Sequence, residues 1–231
     1  MRRTIQLAAL VIATIVILYS CNNSSNSPNN PTSTGNCITT ISGQLTNYTY
    51  PGKAYLCLEV LDSIVPPGLH VVDSTLISGG SFSLNLTTPQ WLINPTTDTS
   101  CHPTLGNPTG KIAVAFFYVH DSTGSLIGGA IRSNYDTNGY VAGKFVDAFV
   151  YSTVAYSGSG TTICTDTHDT VTYSVTGQVC WNLIVGVYVD VYNGMLTKSS
   201  ETNTEPPGGK WYFINASNSD RPALGTQRRN F

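Results

Sequence analysis

Asp166-Thr167-His168-Asp169 gathers two carboxylates and an imidazole within four residues, and these are side-chain types that hold zinc-like cations. His70, His120 or the Cys101-His102 pair would have to complete such a set. The spacing matches no recognised metal motif, and the same polar run fits an exposed hairpin tip. Asp136-Thr137-Asn138-Gly139-Tyr140 echoes the start of a calcium loop but lacks the distal bidentate glutamate, so it reads as a turn. Gly106 to Lys111 (GNPTGK) is one residue short of a phosphate loop, with Ile112 where Ser or Thr is required. Gly-x-Ser-x-Gly, His-Glu-x-x-His and Ser-x-x-Lys are all missing from the sequence. No catalytic residue and no cofactor is assigned, and the chain is expected not to be an enzyme. The competing reading is a hydrolase or metal-dependent enzyme with an unrecognised site.

Two tyrosines offer a different chemistry. Val185, Val187, Val189 and Val191 alternate with Gly186, Tyr188, Asp190 and Tyr192, so a regular strand would put both tyrosines on the face opposite the valines. Tyr188 and Tyr192 are therefore a candidate stacking surface for a glycan or an envelope protein, together with the tip at Asp166 to Asp169. The other reading is that this face packs on a second sheet. Trp91, Trp181 and Trp211 are read as core.

The address lies at the N-terminus. Arg2 and Arg3 precede an apolar stretch from Ile5 to Leu18, which is a secretory signal (residues 1–20), since a membrane span needs ~20 apolar residues. Leu18-Tyr19-Ser20-Cys21 resembles the lipobox of bacterial lipoproteins. That resemblance implies cleavage before Cys21, acylation of its thiol and a lipid anchor in the cell envelope. Asn22 after the cysteine resembles proteins sorted to an outer membrane. Asn22 to Asn36 (NNSSNSPNNPTSTGN) has no apolar side chain to offset ordering entropy, so residues 21–36 form a lipidated, disordered tether, with an r.m.s. reach of roughly 20 Å.

Export places the cysteines in an oxidising compartment. Beyond Cys21 there are five, Cys37, Cys57, Cys101, Cys164 and Cys180. An odd number allows at most two disulfides and leaves one thiol over. Nearness in the chain slightly favours Cys164 with Cys180, provided the loop from 157 to 169 folds back to bring the Cα atoms within about 7 Å. Removal of residues 1–20 takes away Arg2 and Arg3 and no acid, so 9 basic side chains face 13 acidic ones. Only 10% of residues are charged. Without a basic cluster before Arg228-Arg229, nucleic-acid binding is disfavoured.

The elements that must position these residues are strands. No segment after the signal holds a 3.6-residue period, whereas Val171, Tyr173 and Val175 alternate with threonines and serines in period two. Further strands are expected at Ile38–Leu45, Lys53–Asp62, Leu69–Ile77, Ser81–Leu86, Lys111–His120, Leu126–Arg132, Tyr140–Tyr156 and Lys210–Ile214. Asp121-Ser122-Thr123-Gly124 suits a hairpin turn. The expected fold is all-β: antiparallel sandwiches of the immunoglobulin or prealbumin type. The Pro-rich stretch from Thr87 to Gly110 suggests a first module at 37–95, a linker at 96–110, a second module at 111–216 and a loose tail at 217–231. One continuous sandwich with a long crossing loop is the alternative.

Ile41-Ser42-Gly43-Gln44-Leu45, Ala54-Tyr55-Leu56, Val72-Asp73-Ser74-Thr75 and Gly80-Ser81-Phe82-Ser83-Leu84 together resemble the prealbumin-like, or carboxypeptidase-regulatory-like, β-sandwich at the head of many bacterial envelope lipoproteins. Some relatives carry a thioredoxin-like domain after it. No Cys-x-x-Cys follows here, so redox activity is not implied. Cys180-Trp181-Asn182 and Gly209-Lys210-Trp211 resemble the Gly-Trp-Asn and Gly-Lys-Trp signposts of other envelope lipoproteins. The expected function is a non-catalytic envelope lipoprotein whose body is a binding or structural module, with the membrane as one partner and an envelope protein or glycan as another.

Overall fold

A computed structural model describes residues 37–61, 68–93, 110–135, 140–163 and 169–216. The signal, Cys21 and its tether, the linker up to residue 109, Cys101, Cys164, Asp166, His168 and the tail lie outside the described residues. The described chain is all-β and of sandwich type, as its period-two patterning dictates. The strands are β1 (Thr40–Thr46), β2 (Ala54–Leu61), β3 (Leu69–Ile77), β4 (Ser81–Asn85), β5 (Ile112–Val114), β6 (Phe116–Asp121), β7 (Leu126–Ser133), β8 (Phe145–Ser152), β9 (Tyr156–Ile163), β10 (Thr170–Gly177), β11 (Trp181–Tyr192), β12 (Met195–Thr202) and β13 (Lys210–Asn215).

Pairing runs β3-β2-β6-β7-β8-β11-β12-β10-β9, and a branch from β7 passes through β13 and β1 to β4. The pairs are antiparallel except β1 with β13 and β10 with β12. Two wings result, joined where the chain changes strand partner between β5 and β6. β5 pairs β8 and β6 pairs β2, and the Ala115 amide between them still donates to the Phe149 carbonyl at 2.9 Å.

Tight turns follow from local chemistry. Asn193 and Gly194 both have positive φ, 50° and 75°, which is the primed turn that matches strand twist in a two-residue hairpin. Asp121 organises the β6–β7 turn, its carboxylate accepting from the Thr123 and Ser125 amides at 2.8 and 2.9 Å. Gly43 is required by close approach, because a Cβ there would sit 2.6 Å from Cδ1 of Trp211.

The main core takes Ile41 and Leu45 from β1, Leu56, Leu58 and Val60 from β2, and Phe82 and Leu84 from β4. Across it stand Val119, Phe149, Trp181, Trp211 and Phe213 from the second half of the chain. Trp181 and Trp211 are core, as read from the sequence, at 2% and 3% exposure. A smaller cluster around Ile112, Val150, Tyr156, Val175 and Ile184 fills the second wing. Strands on the two sides of the 96–110 linker thus pair with one another and share one core. That is the arrangement of a continuous sandwich, and the division at the linker does not separate two cores.

Candidate functional site

β2 and β6 are antiparallel neighbours, with Tyr55 opposite His120, Cys57 opposite Tyr118 and Glu59 opposite Phe116. These six residues alternate with Leu56, Leu58 and Val119, which face the main core, so they share the other face. On it, Glu59 and His120 lean toward each other across Cys57, and the Glu59 Oε1 to His120 Nε2 distance is 2.7 Å. One ligand atom from each of Cys57, Glu59 and His120 lies within 4.8 Å of the other two.

Glu59 and Cys57 are buried at 6% and 7% exposure, while the His120 side chain keeps 23% and reaches solvent. The other ring nitrogen, Nδ1, lies 3.2 Å from the Gly124 carbonyl. The Asp121-pinned turn holds that carbonyl in place, its Gly124 amide donating to the Asp121 carbonyl at 3.0 Å. Both imidazole nitrogens therefore lie within hydrogen-bond reach of an oxygen that can accept. Burial first, then the Glu59 charge, pushes the Cys57 thiol up to about 11. Such a thiol stays protonated at neutral pH, which makes it a poor nucleophile. The Tyr118 phenol beside it is pushed up to about 12 by the same two causes in the same order.

The residues singled out in the sequence fall elsewhere. Cys180 bonds to Cys37, with Cα atoms 5.6 Å apart, so the pairing with Cys164 is corrected. The residues after β10 bring Cys180 to the chain entry, where the Ile38 amide donates to the Trp181 carbonyl at 3.0 Å. Among the described residues Cys57 is the free cysteine. Asp169 is buried at 3% exposure, and its charge contributes, after burial, to raising the Tyr140 phenol to about 12. Its proposed companions Asp166 and His168 are outside the described residues. His70 stacks on Trp91, ring centroids 4.4 Å apart.

The tyrosine surface is corrected as well. Tyr188 is fully buried, edge-on to Tyr140 at 5.1 Å and Tyr135 at 6.1 Å, whereas Tyr192 is 66% exposed. At the β11–β12 tip Tyr192 pairs with Met195, and Val189 and Met195 are exposed too.

A second ionic group was not foreseen. Arg132 on β7 lies between Asp147 on β8 and Glu205 in the β12–β13 connection. Its Nε is 3.0 Å from Asp147 Oδ2, and its Nη2 is 2.6 Å from Glu205 Oε1. The Nε–H is directed at Glu205 Oε2, 3.2 Å away, so Asp147 receives the charge without that hydrogen bond. Burial, then Glu205, push the Asp147 carboxyl up to about 7, against the pull of Arg132. Only the spacing of Tyr55, Cys57 and Glu59 on one strand hinted at the β2–β6 cluster, because pairing with His120 depends on a register across 61 residues. Comparison with models of protein families, with curated proteins and with solved structures finds no match.

Proposed function

We propose that the chain is a lipid-anchored cell-envelope protein whose β body is a non-catalytic binding or structural module. The observation that carries this reading is the Cys37–Cys180 disulfide, a bond that persists in oxidising compartments reached by export. It supports the exported address read from Arg2, Arg3, the apolar stretch to Leu18 and the Leu18-Tyr19-Ser20-Cys21 segment. It also staples the tether's end to the start of β11, so a pull on the anchor passes directly into the middle of the sheet. The apolar β11–β12 tip, with Val189, Tyr192 and Met195 exposed, is the surface this reading assigns to an envelope protein partner. Its Tyr192 ring is the group that a glycan would stack on.

The test is the fate of Cys21→Ala in cells given labelled fatty acid. The variant is expected to lose the label and to leave the outer-membrane fraction as precursor or soluble protein. Unchanged labelling and fractionation would rule the anchor out. Metal-dependent chemistry is a second reading, favoured by the Cys57, Glu59 and His120 cluster alone.

A further inference from the structure

We propose that Cys57, Glu59 and His120 form a three-ligand site for a zinc-type divalent cation on the face of β2 and β6 turned away from the main core. The register brings a sulfur, a carboxylate oxygen and an imidazole nitrogen together on one sheet face. Calcium and magnesium call for oxygen ligands, whereas mixed sulfur, nitrogen and oxygen sets belong to zinc and its neighbours.

The second observation is the support behind the histidine. A ligating imidazole needs its remote N–H held by an acceptor, which fixes the tautomer and aims the lone pair at the metal. His120 has this in the Gly124 carbonyl at 3.2 Å, presented by a turn that Asp121 pins through three bonds to Thr123 and Ser125. With Nδ1 so engaged, Nε2 and the Glu59 oxygen confront each other at 2.7 Å. A cation shared by these two atoms would take the place of the hydrogen bond between them.

Size fits as well. Zinc bond lengths of ~2.0–2.3 Å at tetrahedral angles set ligand atoms about 3.4–3.6 Å apart. Glu59 and His120 need to open by less than an ångström, and Cys57 Sγ, within 4.8 Å of both, closes by at most about 1.4 Å. These are side-chain adjustments within one strand pair. On binding, the thiol gives up its proton to solvent as the sulfur–metal bond forms, and Glu59 and His120 coordinate through atoms that carry no proton. The exposed edge of His120 gives the ion its approach from solvent.

Cobalt(II) is the probe, added to the purified full chain in detergent, because a thiolate ligand produces a charge-transfer band and tetrahedral coordination an intense visible spectrum. The expected result is one saturable ion per chain, bleached by zinc. Cys57→Ser should abolish the charge-transfer band, whereas Cys101→Ser and Cys164→Ser should keep it. Glu59→Gln and His120→Gln should each weaken binding by at least the roughly 10- to 100-fold that loss of a supporting partner costs. A folded wild-type chain that gives no band overturns the proposal, and so does a band that survives Cys57→Ser. Should Cys57→Ser fail to fold, His120→Gln decides the matter, since cobalt affinity equal to the wild type overturns it. Neither outcome depends on whether Cys21 carries lipid.

Discussion

Asp147 shows how a single arginine divided between two carboxylates sets a residue's charge. Arg132 directs its N–H groups to Glu205, and Asp147, with no exposed side-chain surface, keeps the Coulomb attraction while paying for desolvation. Its carboxyl is raised from 3.8 to about 7. A carboxyl raised in the folded state holds a proton that the unfolded chain releases. Its contribution is therefore present in full below about pH 4 and is lost as pH climbs through about 7, a swing of roughly 4 kcal/mol. Asp147→Asn is expected to flatten the fall in stability between pH 4 and 8, measured as denaturant midpoints at each pH. Parallel curves for variant and wild type would show that the carboxyl titrates as in the unfolded chain. At the other cluster the buried thiol of Cys57 argues against nucleophilic chemistry by the same logic, because desolvation favours the neutral form.

At the scale of one element, β11 explains why Tyr188 and Tyr192 part company although they stand four positions apart. The pairing with β12 shifts between Tyr188 and Asp190 and again between Asp190 and Val191, and an extra residue in a strand moves its alternation by one. Val191 in place of Tyr192 then packs with Tyr188, Tyr135 and Leu196, and Tyr192 turns outward. Tyr188→Ala should cost about 3–5 kcal/mol, as for other large core rings, and Tyr192→Ala should stay within about 0.5 kcal/mol, both read from urea midpoints. Equal costs would mean that the bulge is absent and both rings share a face. Strands with strong period two, such as β4 and β10, were legible in the sequence because half-burial writes itself as alternation. β9 (YSGSGTTI) and β12 (MLTKSSET) were missed, since small and polar residues carry little of that signal. The expected strand at 111–120 is two strands, because the change of partner at Ala115 leaves the apolar run unbroken. The β2–β6 cluster and the Cys37–Cys180 bond were not legible either. Both depend on contacts between residues far apart in the chain, which local propensity does not encode; spacing shows only that Cys57 and Glu59 share a strand face.

Over the whole molecule, the closing pairs join the two halves of the chain. β1 lies parallel to β13, β2 antiparallel to β6, and Trp181 and Trp211 fill a core with Ile41, Leu56 and Phe82. Splitting that core would expose the inner faces of β1, β2 and β4 at once, and each buried large apolar side chain contributes roughly 1.5–3 kcal/mol. Cutting the backbone in the Pro-rich stretch between Ile93 and Gly110 should therefore leave the halves together. A chain with a protease site placed at residues 100–106 is expected to remain one species on gel filtration after cleavage. Without reductant on a denaturing gel the fragments should stay joined, because Cys37 and Cys180 lie on opposite sides of the cut. With reductant under native conditions they should still co-elute, held by β1–β13, β2–β6 and the shared core, and they should unfold in a single transition. Two independent modules would instead separate once the disulfide is reduced, each folded and with its own melting transition. Co-elution with one transition means that the two sides of the linker belong to one cooperative body.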